Sequence, residues 1–383
     1  MSNTFTEVIP KLLAQGLLAL RQQAIMPRLV NRAYDTLAGE KGSTIDVPIP
    51  SAVAVSDVTP AATSAAATTT DSVPTKAAIT LSNWKEAAFY LSDKDMQEVM
   101  VGTIPMQAAE AVKAIANQID SDILALYKQV YSFVGTPSST PFGSNLDAYL
   151  AARKVLALRL APMDPRFVVL DPAAEANALS LRAFQDASFR GDTAGIINGQ
   201  IGNKLGALWA MDQNIPRHTA GSDLDGEIND AGAIAAGSKT LTVDGFSVAP
   251  NVGDIFTVES IFEADGVTLR TFVITAATTT VLTFEPGLPA AFATGDADNL
   301  DITVKGSHVV NLAFHRDAFA LAMRPFAGAD PLGIGLFQSA VDPVSGLVLR
   351  LEVTREFKRT RFSYDVLYGV KTVRPELACR IAG

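Results

Sequence analysis

From Pro105 to Phe133 the chain reads PMQAAEAVKAIANQIDSDILALYKQVYSF, with Val112, Ile115, Ile119, Ile123, Leu126 and Val130 recurring at spacings of three and four. That spacing puts one continuous apolar stripe along a helix. Pro105 is tolerated at the first helical position, where its missing N–H would have no partner, and Gly135 with Pro137 closes the other end. At 1.5 Å per residue such a rod is roughly 43 Å long. A helix of this length needs neighbours along all of it, and the sequence on both its flanks reads as extended, with the rest of the chain as arms and lobes attached to it.

Residues 4 to 34 read as an amphipathic helical arm, with Phe5, Val8, Ile9, Leu12, Leu13, Leu17, Leu18 and Leu20 on a broad apolar face and Pro10 and Pro27 bracketing or bending it. The face is expected to bury against either the long helix of its own subunit or a neighbour. Residues 43 to 91 read as a long two-stranded hairpin. Ile45, Val47 and Ile49 alternate with Asp46, Pro48 and Pro50, Val53 and Val55 follow, and the return strand carries Ile79, Leu81, Trp84, Phe89 and Leu91. Two prolines exclude the middle of a regular sheet. Between the strands lies TPAATSAAATTTDSVPT, small, polar and without a core-forming run. A lone hairpin is marginally stable in water. The expectation is therefore that arm and ribbon lack sufficient contacts with their own subunit, so that Leu12, Leu17, Ile45, Val47, Ile49, Val53, Val55, Ile79, Leu81 and Trp84 are inter-subunit contacts; a flexible surface loop is the alternative.

Beyond the long helix, Asn145 to Leu160 forms a second amphipathic pattern, Asp164 to Leu170 a short buried strand, and Asp171-Pro172 an N-cap with proline at N1 for a helix through Leu181. The glycine-rich stretch from Arg190 to Gly206 reads as loop. From His218 to Lys305 helical periodicity disappears and short β runs follow: Thr240 to Val243, Ile255 to Ile261, Thr268 to Thr275, Val281 to Phe284 and Ile302 to Val304, separated by Gly-containing turns. Since lobe-like sequence resumes at Val309, this β domain is read as an insertion. The implied division is an arm (1–40), hairpin (41–91), a peripheral part with the long helix (92–133), an α+β lobe (134–217 and 306–383) and the inserted β domain (218–305). Closing strands near Leu347 to Val353 and Arg361 to Val366 carry Arg350, Glu352, Arg355, Glu356, Arg359 and Arg361, a pattern expected on a solvated face or a subunit contact.

Composition narrows the function classes. A formal charge of −9 and a pI near 4.9 give no overall pull toward nucleic acid or an anionic membrane. No run is long and apolar enough for a spanning helix, no signal-peptide pattern is evident, and a single cysteine, Cys379, excludes an intramolecular disulfide. His218, His308 and His315 lack ligand spacing for a metal. Lys204 in the glycine-rich stretch is followed by leucine where a phosphate loop needs Ser or Thr. Asp120 and Asp122 read as solubilising charge on an exposed helix face. No catalytic, cofactor-binding or metal residue is assigned, and no cofactor is expected.

The order of these parts resembles the major capsid protein of tailed phages, of the kind typified by the phage P22 coat protein. Gly42-Ser-Thr-Ile-Asp-Val-Pro-Ile-Pro50 is similar to the start of the family's extended loop, and Gly253-Asp-Ile-Phe-Thr-Val258 with Thr271-Phe-Val-Ile-Thr-Ala276 to its inserted domain. Asn311-Leu-Ala-Phe-His-Arg-Asp-Ala-Phe-Ala-Leu-Ala-Met-Arg-Pro325 is the most specific match, and Tyr364-Asp-Val-Leu-Tyr-Gly-Val370 with Arg374-Pro-Glu-Leu377 resembles the close of the lobe. The resemblance implies an α+β fold of the HK97 type with an N-terminal helical arm, extended β-hairpin loop, long spine helix, axial lobe and inserted β domain.

It further implies a non-enzymatic subunit that self-assembles as pentamers and hexamers into an icosahedral head around double-stranded DNA. The implied partners are copies of itself, a scaffolding protein and portal during assembly, and the packaged DNA through non-specific interior contacts, with no membrane and with the presence of a decoration protein left open; the place is the virion, assembled in the host cytoplasm. Past Glu7 the arm has no acidic residue up to Tyr34, while Lys11, Arg21, Arg28 and Arg32 are basic, which departs from an acidic scaffold contact and fits DNA or an acidic scaffold. Neither cleavage of a pro-segment nor a Lys–Asn cross-link is expected. A cellular nanocompartment shell, encapsulin-like, is the alternative with the same fold.

Overall fold

The computed structural model describes residues 13, 16, 24–34, 44–49, 74–94, 103–186, 199–230, 232–295, 297–324, 335–341 and 347–383. A short helix, α1 (Met26–Leu29), is followed by a ribbon of β1 (Thr44–Ile49) and β2 (Thr75–Thr80), paired antiparallel from Thr44↔Thr80 to Ile49↔Thr75. Pro48 sits opposite Lys76, which a two-stranded ribbon tolerates because each strand keeps an unpaired edge. The return strand does not run on through Leu91. It breaks at Leu81-Ser82, and β3 (Asn83–Ser92) pairs instead with a strand near the C-terminus.

The spine, α2 (Thr103–Leu124), tightens into a 3-10 stretch at Ala125–Gln129, and Val130 is already extended. It is therefore shorter than its stripe, about 33 Å of α-helix. Pro105 falls in the first turn rather than at its first residue. The stripe still faces inward: Val112, Ile115, Ile119, Ile123 and Val130 are buried and Leu126 partly so. The chain extends after Gln129 because β4 (Ser132–Val134) joins a sheet as a parallel neighbour of the last strand.

That seven-stranded lobe sheet contains β4, β5 (Arg166–Leu170), β6 (Gly202–Lys204), β7 (Ala207–Met211), β8 (Arg217–His218), β15 (His308–His315) and β20 (Ala378–Ala382), in the order β4-β20-β15-β5-β7-β6 with β8 beside β15. Its helices are α3 (Asp147–Leu158), which packs on β20, β4 and β15, and α4 (Pro172–Ser180), capped by the Asp171 carboxylate accepting from the Ala173 N–H at 3.1 Å. Strands β15 and β20 are buried along nearly every residue, as strands covered on both faces must be.

Between β8 and β15 the chain forms a closed six-stranded barrel, β10-β13-β12-β11-β14-β9, from β9 (Asp225–Ile228), β10 (Thr240–Asp244), β11 (Ile255–Phe262), β12 (Leu269–Ala277), β13 (Val281–Glu285) and β14 (Asp301–Val304). Strand β9 was not legible in the sequence, since Asp-Gly-Glu-Ile offers a single β-branched residue. Its Gly226 is required by packing: a Cβ there would overlap the Phe246 ring. The barrel has its own core, with Phe256, Phe272 and Phe284 at mutual centroid distances of 5.3 to 5.4 Å.

The remaining sheet takes β16 (Phe319–Arg324), β17 (Gly335–Val341), β18 (Val348–Glu356) and β19 (Arg359–Thr372) in the order β16-β19-β18-β17. Strand β19 is long enough for β3 to pair with its first part and β16 with its second. The spine packs on β3 and β19.

Candidate functional site

The β1–β2 ribbon sits on its own subunit. Ile45, Val47, Ile79 and Leu81 are buried in one cluster with Ala320 and Ala322 of β16, and Ile49, Leu367 and Val373 pack at its border. This corrects the expectation that these four side chains are free for a neighbour: the alternation that makes one face of the ribbon apolar finds its cover on β16 and β19. Close approach is possible because Gly369 lies under Thr80; a Cβ there would overlap the Thr80 carbonyl. Gly369→Ala is expected to destabilise by about 1–3 kcal/mol through forced displacement of the ribbon, whereas Gly143→Ala, with no heavy atom nearer than 3.9 Å to its Cβ position, should stay within about 0.5 kcal/mol. Denaturant midpoints of the two variants check this.

Trp84 belongs to β3 rather than the ribbon. It is 63% exposed, and its indole N–H donates to Asp365 Oδ2 at 2.8 Å. Val53, Val55, Leu12 and Leu17 lie outside the described residues. Where the arm is described it is seated on its own subunit. Leu13 is buried in the main core, Gly16 faces Leu349, Val112 and Tyr364, and the Ile25 and Met26 N–H groups donate to Asp120 Oδ2 at 3.2 Å and Oδ1 at 3.0 Å. Asp120 is thus buried, not a solubilising charge: it caps the start of α1 from 94 residues away in sequence. Asp122 accepts from the Tyr368 hydroxyl at 2.5 Å and from the Gln118 amide at 2.8 Å.

The charged strands are neutralised within the subunit. Arg350 binds Asp365 through two N–H groups, Nε to Oδ1 at 2.8 Å and Nη2 to Oδ2 at 2.5 Å, and lies 3.7 Å from Glu352. Arg355 pairs with Asp93 at 2.7 Å, Arg359 with Glu356 at 2.5 Å, and Arg361 with Glu86. The Arg359 guanidinium also lies 4.3 Å from the Tyr90 ring centre. The Arg355, Arg359 and Arg361 pairs are exposed and stabilise weakly, whereas the bidentate Arg350–Asp365 pair is largely buried. Their effect is to leave the outer sheet face mixed in sign, with Trp84 standing out of it and Phe357, 87% exposed, at the β18–β19 turn.

The barrel is pinned to the lobe by a buried polar joint that sequence reasoning missed. Arg380, fully buried in β20, donates from Nε to the Val130 carbonyl at 2.9 Å and from Nη1 to the Gly253 carbonyl at 2.8 Å, with its guanidinium 5.0 Å from the Tyr127 ring centre. His218 Nε2 lies 2.7 Å from Asp254 Oδ1. Its Nδ1 lies 3.0 Å from the Tyr127 hydroxyl. Asp254 Oδ2 accepts from the Asn251 and Gly221 N–H groups. Burial pulls His308 down to about 4, so it is neutral at pH 7 and packs edge-on to Phe133. On the α3 side, Arg159 pairs with Glu263 at 2.5 Å and Lys154 with Asp265 at 2.6 Å. The available signal was Arg380 inside an otherwise apolar strand, Ala-Cys-Arg-Ile-Ala, where a charge must find partners.

The Tyr127–His218–Asp254 chain is enclosed, and among the described residues no group of three or more His, Cys, Asp or Glu could hold a metal ion. A groove of about 700 Å³ beside α1, lined by Ile25, Leu29, Phe167, Leu208, Trp209 and Met211, is mainly apolar. No helix among the described residues is long and apolar enough to cross a membrane.

Comparison with solved structures defines the class of fold. The structure from Mycobacterium phage Che8 superposes with a TM-score of 0.51 at 18% identity, covering 94% of this chain and 90% of that chain. The capsid structure of cyanophage P-SCSP1u gives 0.52 at 12% identity, covering 94% and 88%. At these identities the likeness is one of fold, the HK97-like shell fold of tailed-phage capsids. No curated protein matches the sequence. A family model described as phage capsid protein matches residues 77–293, more than half of the chain, and the chain belongs to that family. It is a structural protein of the phage head, a major capsid protein, and its place is the virion.

Proposed function

We propose that the subunit assembles as pentamers and hexamers into an icosahedral shell around double-stranded DNA, and that it is of the P22 coat-like kind. The observation supporting the subtype is the closed barrel inserted between β8 and β15 of the lobe sheet. In this reading the ribbon base is anchored on its own subunit through Ile45, Val47, Ile79 and Leu81, and the stretch between Ile49 and Thr75, with Val53 and Val55, reaches an adjoining copy. Anchoring gives the reach a fixed direction, which lowers the ordering cost of a neighbour contact. Trp84 and the outer sheet face with Arg350, Glu352, Glu356, Arg359 and Arg361, together with Arg355 at the end of β18, supply a second contact, its mixed charges setting register more than affinity. Scaffolding protein, portal and a decoration protein complete the assembly. DNA is enclosed rather than gripped, in keeping with the net charge of −9.

Electron microscopy of the overexpressed, purified chain tests this. The expected result is closed shells, tubes or sheets with five- and six-fold clusters, formed without DNA. A stable monodisperse monomer would overturn it, and particles loaded with a cellular enzyme in place of DNA would point to a nanocompartment shell.

A further inference from the structure

The closed barrel presents two unlike walls. In its strand order β11 lies across from β10, and β12 across from β9. On β9, β10 and β14 stand Asp225, Glu227, Asp244 and Asp301, all exposed, and these three strands carry no lysine or arginine. The register sets Glu227 directly between Asp244 and Asp301. Like charges opposite one another on neighbouring strands cost stability.

The wall of β11 and β12 carries a single acid, Glu259, and a single base, Arg270, before its tip at Glu263 to Thr268 is added. Two ion pairs clamp that tip to the end of α3, Lys154 to Asp265 and Arg159 to Glu263, with both carboxylates turned inward and Lys154 left 53% exposed. Around this seam Phe262 and Leu269, opposite each other in register, are exposed, as are Val267 and Leu160. Leu160 is 89% exposed with φ at +58°, in the position after the helix that glycine usually takes. Its N–H donates to the Ala157 carbonyl at 3.0 Å and the next N–H, of Ala161, to the Leu156 carbonyl at 2.9 Å. A leucine there strains the backbone and gains little burial in its own subunit. Each wall thus holds a feature that disfavours the lone subunit.

We propose that the seam with Leu160, Val267, Phe262 and Leu269 is a docking face for the acidic β9–β10–β14 wall of a second copy, so that copies join head to tail. This rests on the shell reading. Charge selects the occupant: the opposite wall of the same barrel offers four carboxylates and no cation, the complement of Lys154 and Arg270. Docking takes the apolar side chains out of water and sets cations near Glu227, which offsets its repulsion from Asp244 and Asp301. Because the two faces lie on opposite walls, every copy offers both, and a heterologous contact of this kind closes into a ring where its rotation allows.

The full chain serves for the test. In Leu160→Gly and in Glu227→Gln the thermal midpoint of the free subunit is expected to stay level or rise, while the concentration at which particles form rises by about threefold or more. Particles appearing at the native concentration in both variants would overturn the proposal. A chain carrying Leu160→Cys and Glu227→Cys together should give a ladder of linked copies with a short bismaleimide. A mixture of the two single variants should give dimers only, and either single variant alone no link, since Cys379 is buried. Native-like particles without links refute this contact and leave the shell reading standing. A native chain that forms no particles refutes the shell reading; a ladder from the concentrated double variant then still upholds the contact, and its absence refutes that too.

Discussion

Replacing Arg380 with alanine is expected to lower stability by about 3–5 kcal/mol, from two buried carbonyls left without a donor at about 1–3 kcal/mol each and the cavity left by a fully buried side chain. Arg380 satisfies two buried carbonyls, Val130 just after the spine's 3-10 stretch and Gly253 in the turn before β11, and its guanidinium covers the Tyr127 ring. The alanine variant leaves both carbonyls without these donors and opens a void where spine, lobe and barrel meet. Arg380→Lys keeps the charge but has a single ammonium in place of a planar fork, so it should recover less than half of the loss. The measurement is the urea midpoint at unchanged m-value. A change within about 0.5 kcal/mol for alanine would show that the joint does not hold the barrel to the lobe. Because the His218–Asp254 pair binds the same turn from the other side, Arg380→Ala combined with His218→Ala is expected to be non-additive.

Phe272→Ala should cost about 3–5 kcal/mol for a different reason: a fully buried ring leaves a cavity in a closed barrel whose walls cannot collapse inward. Phe272 stacks on Phe256 at 5.3 Å and meets Phe284 edge-on. The barrel core is separate from the main core, so the loss should fall on the barrel. Calorimetry is expected to show an early transition for the variant, with a second near the native temperature carrying the lobe. A single transition shifted as a whole would mean that barrel and lobe unfold as one unit.

Periodicity made the large divisions legible. The spine's stripe, the Asp171 cap, α3 and five of the barrel's six strands could be drawn from residue spacing because each is a local property: side chains three or four apart share a helix face, and alternating ones share a strand face. The same local rules misassigned Leu81 to Leu91. A continuing apolar alternation looked like one return strand, yet β3 leaves the ribbon for β19, a partner more than 250 residues away that no local pattern identifies.

The candidate contacts divide in the same way. That Ile45, Val47, Ile79 and Leu81 must be covered was a sequence fact; that β16 covers them was not. Asp120 was misread because its helical position says only which face it occupies, whereas its burial depends on α1 closing over that face. Buried polar residues are satisfied pair by pair across distant segments, as Arg380, Asp254 and Glu263 are, and pairing at a distance leaves no periodic trace.

The sequence by itself determined the helical spine, the inserted β domain, the absence of a motif for chemistry and the likeness to phage capsid proteins, all carried by short-range spacing and by the order of segments. Tertiary structure alone decided which apolar faces the subunit covers for itself, which charges are paired, and where the arm is held. Those outcomes depend on the closing of contacts between residues hundreds of positions apart, and the free energy of such contacts is set by burial and geometry that exist only once the chain has folded.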